Sequence, residues 1–447
     1  MKLVGLDIGT TTICGLVVDA GSGEILSVVT RPNASRIPGS DPWEALQDPG
    51  IILAVVREIL DGFLGRWRDI GGIGIAGQMH GILYVDRAGK AVSPLYTWQD
   101  GRGDLVDADG TSAATRLSGS LGSRVSTGYG IVTHSWNAAH GLVPGDAASL
   151  CTIPDYVAMT ICRRTAPVMD ASNAASLGGF DLAARNFRRV EMDSLGIDAR
   201  LFPEVTDSFP ALGEARPGMP VFAAAGDNQA SFLGSVRDAR ATALFNVGTG
   251  SQVSVPVDTA VEIPGLDVRP FPFGGYLAVG AALCGGNAYA LLRTFFERTL
   301  RLFAPGESSV SWDTMNAAVG KGLTVDTRFN GTRDDPSIRG SISGIGPDTF
   351  TPEHLIVGVR EGIAEELIGY YQVVPSSRRA QVSSMAGSGN GLRMNPALRD
   401  VFEQKLGMRM RVPAHAEETS FGAALIAGVA NGALTNLEAA GRLVRYS

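Results

Sequence analysis

The stretch VGLDIGTTTICGLVVD, residues 4–19, decides how the rest of the chain is read. Residues 3–8 are an apolar run that ends at Gly9, Thr10, Thr11 and Thr12. A second run, 13–18, follows at once. Asp19, Gly21 and Gly23 mark the next turn, and 25–30 is a third run. Short apolar runs separated by glycine and small polar residues read as strands joined by tight turns, so the chain opens as a β-meander around a Gly-Thr hairpin. The pattern returns 239 residues later: 243–247 is a strand, Gly248, Thr249 and Gly250 are the turn, and 252–257 is the return strand. Gly9 aligns with Gly248 and Thr10 with Thr249. Asp7 aligns with Asn246, so the second copy lacks the carboxylate. An internal repeat at this distance predicts a duplicated domain, one copy suited to a metal and phosphate and the other to phosphate alone.

Composition narrows the function classes. The chain has 447 residues, 45% hydrophobic and 19% charged, enough to bury a large core and too apolar for whole-chain disorder. At about 150 residues per domain, two large domains fit as well as three small ones. Lys and Arg total 38 against 45 Asp and Glu, a net charge of -7 without a basic run, which argues against a nucleic-acid partner. Cys14, Cys151, Cys162 and Cys284 are scattered without a CxxC. That excludes a disulfide scaffold or a cysteine-built zinc site and fits a reducing, cytoplasmic setting. The N-terminus lacks the apolar core of a signal peptide, and no run reaches about 18 apolar residues, so no membrane partner is expected. Glycine, at 57 residues, is well above its usual share of about 7% and clusters after apolar runs, where chains turn sharply or approach closely.

Between and beyond the hairpins the pattern is mixed α and β. Helices are expected over 48–60, within 146–162, over 230–234, 286–300 and 352–371, from Asn395 to a stop at Gly407, and from Thr419 or Ser420 onward. Strands are expected over 71–76, 82–85, 221–225 and 381–385, with 94–102 a polar, aromatic loop. The apolar pattern breaks near 236–241, which divides the chain into domains 1–238 and 239–447.

The turns and carboxylates suggest phosphoryl transfer. A Gly-Thr turn gathers backbone N–H groups and hydroxyls into a small anion nest, and two such turns facing one another would hold the phosphates of ATP. No P-loop or dinucleotide fingerprint is present. Ala386, Gly387, Ser388, Gly389 and Asn390, after a strand and before a helix, suit contact with a nucleotide. Asp7, at the end of a buried strand, is read either as a hairpin cap or as a Mg²⁺ carboxylate. Asp227, in Gly-Asp-Asn-Gln at a strand-to-helix junction, is read either as an N-cap or as a general base for a sugar hydroxyl. His80 follows Gln78 and Met79 as a structural histidine or a polyol ligand. Trp98, Asp100 and Arg102 form either a sugar-binding loop or an anchored surface loop with an Asp-Arg pair.

Taken in order, VGLDIGTTTICGLVVD (4–19), GIAGQMHGILYVD (74–86), TWQDGR (97–102), AAAGDNQAS (223–231), FNVGTGSQVS (245–254), GSGN (387–390) and EETSFGAA (417–424) resemble the FGGY carbohydrate kinases over essentially the whole chain. Any one segment is weak; the set is specific. The resemblance implies an α/β fold of two actin-like, ribonuclease H-like ATPase domains flanking a deep cleft, the first binding sugar and the second nucleotide. It implies transfer of the γ-phosphoryl group of ATP, with Mg²⁺, to the terminal hydroxyl of a ketose. By the same resemblance Asp227 is the catalytic base and Asp7 the carboxylate near the metal. Thr10, Thr11, Gly248, Thr249, Gly286, Gly387, Ser388 and Asn390 hold the nucleotide. Gln78, Met79, His80, Trp98, Asp100, Asp227 and Asn228 line the sugar side. TWQDGR, GDNQAS and CGGNAYAL (284–291) most resemble members acting on sedoheptulose, and then those acting on xylulose. Ala386, where relatives often carry glycine, and Cys284, where a polar residue is expected, depart from the pattern. A catalytically inactive sugar sensor or a structural ATPase is the alternative of another class, disfavoured because Asp7 and Asp227 are both present and no polymer or peptide module is appended. The expected assembly is a monomer or homodimer.

Overall fold

The computed structural model describes residues 1–304, 306, 309–332, 335 and 337–447. The chain opens with β1 (Lys2–Ile8), β2 (Thr12–Asp19) and β3 (Ile25–Pro32). Helix α1 (Pro49–Arg66) follows. Asp48 caps it by accepting from the N–H groups of Gly50 and Ile51, and Pro49 fills the first turn, where its missing N–H costs nothing. Next comes β4 (Ile70–Gly77); after the short strands and helices of residues 83–206 the sheet resumes with β5 (Ala211–Arg216), β6 (Met219–Phe222) and β7 (Ala225–Gly226), followed by α2 (Asp227–Ser235). The second hairpin is β8 (Thr242–Val247) and β9 (Ser251–Val257), followed by β10 (Tyr276–Ala282) and α3 (Gly285–Phe303). The chain ends through α4 (Pro352–Val373), β11 (Ser384–Ser388), α5 (Pro396–Leu406), β12 (Met410–Arg411) and α6 (Glu418–Ala430).

These elements form two compact units, each α/β with a mixed sheet, in agreement with the expected two-domain, actin-like fold. The first holds Met1–Arg237, Arg269–Tyr276 and Glu417–Val444; the second holds Asp238–Val268, Leu277–Ala416 and Arg445–Ser447. In the first, the strand order is β5-β6-β4-β1-β2-β3, with β7 also on β4. β1 runs antiparallel to β2, with Asp7 opposite Cys14, and parallel to β4, with Asp7 opposite Ala76. The second repeats the scheme in the order β10-β9-β8-β11-β12, with a further edge strand, Asp267–Pro270, outside β10: β8 is antiparallel to β9 and parallel to β11, with Asn246 opposite Ser388. Asp7 and Asn246 therefore hold the same place in two copies of one topology.

Packing explains several glycines and one departure from the expected halves. Leu3, Val4, Leu6 and Ile8 of β1 are wholly buried, as a strand covered on both faces requires. α6 lies against β1, β4 and α2. A Cβ at Gly5 would overlap the Ser420 carbonyl oxygen, one at Gly74 that of Ala423, and one at Gly422 that of Ala230. Bare backbone on all three elements lets α6 sink into the first unit, so Glu417–Val444 returns there although the sequence division assigns it to 239–447.

Two local expectations change. Residues 146–162 contain a strand, Ser149–Cys151, before the helix Ile153–Ile161. The strand expected over 381–385 is β11, so Gly387 and Ser388 lie inside a strand rather than in the loop after it. The hairpins also differ in length. Ile8 pairs with Ile13, and the Gly9 N–H donates to the Thr12 carbonyl; Val247 pairs with Ser251, and the Gly248 N–H donates to the Gly250 carbonyl. The second turn is thus one residue shorter, and the repeat slips by one on its return strand.

Candidate active site

In the first unit the chemistry gathers at the ends of β1, β4 and β7. Asp7 is half-buried, and its Oδ1 is fully buried without a hydrogen-bond partner. Burial pushes its carboxyl well above the ordinary range, and the carboxylates of Asp227 and Glu417 push it further. Asp227 is the first residue of α2. Gly226, not Asp227, occupies the N-cap position, and it makes no side-chain cap bond. The Asp227 carboxyl is raised by burial to about 6, a rise opposed by Arg269 and by the Asn228 N–H. A carboxylate tuned toward neutrality is a better proton acceptor than an ordinary aspartate. Among the described residues no three His, Cys, Asp or Glu side chains meet closely enough to hold a metal by themselves. A cation beside Asp7 would draw its other ligands from phosphate oxygens and water, as Mg²⁺ commonly does.

The turn after β1 is braced by side chains. Asn33 Nδ2 donates to the Gly9 carbonyl at 2.8 Å, and Gln47 Nε2 donates to that of Thr10 at 2.9 Å. Trp98 Nε1 donates to Thr10 Oγ1 at 3.0 Å, and Thr10 Oγ1 donates to Gln78 Oε1 at 3.3 Å. Thr11 is exposed at the tip. Met79 is buried, and its sulfur lies where a Cβ on Gly226 would fall, which seats it beside the start of α2. His80 has a φ of +72°, a conformation rare for a residue with a side chain. It is held by Ser176, whose Oγ accepts from the His80 N–H at 3.0 Å and whose carbonyl lies 2.8 Å from Nδ1, and by a stack on Tyr129 at 4.4 Å. Trp98 keeps 43% of its surface exposed. Asn228 is half-buried beside Asp227.

Asp100 departs from expectation. It is wholly buried, and both its oxygens are taken: Oδ1 by Arg102 Nε at 2.6 Å, Oδ2 by Arg102 Nη2 at 3.2 Å and by the Ala45 N–H at 3.1 Å. Arg102 lies over the rings of Tyr96, Trp136 and Trp43 and donates to Asn137 Oδ1. The pair anchors the loop that carries Trp98 and has no oxygen left for a sugar. Sequence reasoning missed Arg269, Gln47, Ser176 and Tyr129, which lie far along the chain from the motifs they serve. Glu417 stands inside the segment EETSFGAA, but nothing local shows that it faces Asp7.

In the second unit the corresponding turn is held by backbone. The Gly286 N–H donates to the Gly248 carbonyl at 2.9 Å, and the Asn287 N–H donates to that of Thr249 at 3.0 Å, so the first donors of α3 are spent on the turn itself. Asn246 Nδ2 donates to Ser388 Oγ at 2.8 Å, and Ser388 is wholly buried. Gly387 is buried in β11. Gly389, at φ +79°, sits where a Cβ would come within 2.5 Å of the Val247 carbonyl oxygen. Thr249 and Asn390 are the exposed members of the set. Of the second unit's residues expected on the nucleotide, Thr249 and Asn390 offer side chains to solvent, whereas Ser388, Gly387 and the Gly286 N–H belong to the scaffold.

Comparison with known proteins places the chain in a family. The model for the FGGY family of carbohydrate kinases, N-terminal domain, matches residues 2–244, and that for the C-terminal domain matches 243–431. The chain is 27% identical to a sedoheptulokinase of Mus musculus, over 95% of this chain and 96% of that one. It is 23% identical to a xylulose kinase of Lactococcus lactis, over 98% and 89%. In fold it is similar to a xylulose kinase from Rhodospirillum rubrum, with a TM-score of 0.86 and 22% identity over 100% of this chain and 93% of that one. Among the described residues no helix is long and apolar enough to cross a membrane.

Proposed function

The chain belongs to the FGGY family of carbohydrate kinases and is an ATP-dependent phosphotransferase; from that premise we propose that it phosphorylates the terminal hydroxyl of a ketose, with Asp227 as general base. The observation that carries the reading is the carboxylate pair of the first unit. Asp227, raised to about 6, stands at the start of a helix near Asp7, whose Oδ1 is buried and unpartnered.

Asp227 accepts the proton of the attacking hydroxyl as its oxygen bonds to the γ-phosphorus of ATP, and the bond from that phosphorus to the β-phosphate oxygen breaks with ADP leaving with the electron pair. Met79, His80, Asn228 and the exposed ring of Trp98 position the sugar, the ring covering C–H surface while polar groups take hydroxyls. Thr10 and Thr11 are the first unit's hydroxyls for phosphate oxygens, and Thr249 and Asn390 are the exposed side chains that the second unit offers a nucleotide. A magnesium ion, when bound, neutralises phosphate charge, and Asp7 Oδ1 is the protein oxygen that fits it. Most of the acceleration in such a reaction comes from positioning and charge stabilisation, with the base adding roughly 10²- to 10⁴-fold.

The ketose is put as a five-carbon ketulose such as xylulose, because xylulose kinases recur among both the sequence relatives and the solved structures of this fold. This reverses the order expected from the motifs. Sedoheptulose is the second reading, favoured by the identity to the Mus musculus sedoheptulokinase. ADP release on a panel of xylulose, ribulose, fructose, sedoheptulose and glycerol, with ATP and Mg²⁺, tests both. A preference for a pentulose is the expected result. Sedoheptulose as best substrate installs the second reading, and no turnover with any ketose defeats the proposal.

A further inference from the structure

The hydrogen bonds around Thr10 join two tasks that the proposed function keeps separate: meeting phosphate and sensing the sugar. Thr10 Oγ1 donates to Gln78 Oε1 at 3.3 Å, Gln78 Nε2 to Gln47 Oε1 at 2.9 Å, and Gln47 Nε2 back to the Thr10 carbonyl at 2.9 Å. Three residues from separate stretches of chain close a ring. Its direction is set by chemistry. A carbonyl oxygen only accepts, so Gln47 turns its amide nitrogen to Thr10 and its Oε1 to Gln78. Gln78 must then offer nitrogen to Gln47 and Oε1 to Thr10, which leaves the Thr10 hydroxyl as donor. Trp98 Nε1, a donor only, enters the same hydroxyl from outside at 3.0 Å and fits that assignment. Gln47 and Gln78 are buried, so water does not offer them ready substitutes.

A hydroxyl has one proton. In this arrangement the Thr10 proton points at Gln78, in the Gln78-Met79-His80 segment, and is withheld from a phosphate oxygen. We infer that Thr10, Gln78, Gln47 and Trp98 form a coupling ring through which the sugar primes the phosphate turn. A sugar that draws the exposed Trp98 away removes the donor that fixes the Thr10 oxygen, so the hydroxyl can rotate and turn its proton to phosphate. These are positioning residues: none takes the reacting proton. The inference rests on the kinase reading and adds that sugar and nucleotide bind cooperatively within the first unit's own hydrogen bonds. By linkage the effect is reciprocal, each ligand tightening the other by the same factor, typically about 5- to 150-fold.

The test is calorimetric titration of the full chain with Mg²⁺ and a non-hydrolysable β,γ-imido ATP, with and without the ketose turned over best in the panel. In the unaltered protein the ketose is expected to tighten the analogue at least about fivefold. Trp98→Phe keeps the ring and removes the N–H, and Thr10→Val removes the hydroxyl. Both are expected to bring that ratio toward one and to raise ketose-independent ADP release relative to ketose-dependent release, whereas Thr10→Ser keeps the ratio. A merely structural role would weaken both ligands and leave the ratio alone. Trp98 is exposed, so Trp98→Phe carries the test should Thr10→Val fail to fold. An unaltered protein without cooperativity, or a Trp98→Phe variant with the full ratio, overturns the ring while leaving the kinase reading intact. Absence of ketose-dependent ADP release in the unaltered protein overturns both.

Discussion

The two hairpins begin from the same pattern and are held in opposite ways. The turn at residues 9–12 is tied down by four side chains, Asn33, Gln47, Gln78 and Trp98. The turn at 248–250 is tied down by the backbone of α3, with Gly285 and Gly286 pressed so close that a Cβ on either would overlap the turn's carbonyl oxygens. Side-chain braces can be rearranged by a ligand that competes for them, whereas a backbone brace on bare glycine cannot. The end of the first strand differs too. The first unit keeps a costly buried carboxylate in Asp7, and the second has Asn246 satisfied against Ser388. One copy of the topology carries the strained, titratable chemistry and the other carries a settled platform.

The sharpest way to break this contrast is Asp227→Asn. It should lower kcat by roughly 10²- to 10⁴-fold while nucleotide binding to the second unit persists, measured by coupled ADP release beside titration with the imido analogue. Near-normal turnover would leave the first unit with no privileged chemistry.

Asp7→Asn makes the first hairpin resemble the second. The Mg²⁺ concentration needed for half-maximal rate should rise by roughly 10- to 100-fold, the range seen when groups supporting a metal are removed. Stability should move the other way. A carboxyl raised in the folded state is fully favourable only below its unfolded pKa and costs stability as pH climbs through the folded value, so the melting temperature at pH 7.5 should rise.

The two braces can be compared directly. Gly286→Ala forces a Cβ into the Gly248 carbonyl and should cost about 1–3 kcal/mol, seen as a lower melting temperature with weakened nucleotide binding. Gln47→Ala should leave nucleotide binding to the second unit unchanged and strike the sugar-dependent rate. Identical phenotypes for the two would erase the distinction.

The smallest effect is on pH. With the Asp227 carboxyl at about 6, kcat/KM should be level above that value and fall about tenfold per unit below it, because only the ionised form accepts a proton. By the same linkage, Asp227→Asn is the more stable protein above pH 6, where the wild-type carboxylate bears the cost of burial.

Much of the fold is legible in the order of the residues. Asp48 with Pro49, Asn395 with Pro396, and the stop at Gly407 are local signals, and each marks a helix end. The hairpins announced themselves by short apolar runs around glycine and threonine. What failed to show was anything set by distant neighbours. Asp100 sits in a loop motif that invites a sugar-binding reading, yet Arg102 and the Ala45 N–H claim both its oxygens. Ser388 lies in a glycine-rich string that reads as a loop, yet β8 pairs with it and buries it.

Residue order alone specifies the duplicated strand-turn-strand units, their glycines, and the placing of Asp7 and Asn246 at matched positions, because these follow from contacts between near neighbours and from the period of the chain. Folding in three dimensions decides that Glu418–Ala430 belongs with the first unit, that Glu417 and Arg269 tune Asp7 and Asp227, and that Thr10 is wired to Trp98. Burial and hydrogen-bond partnership depend on which remote segments arrive at the same point, and a linear string carries no record of that until the core has closed around it.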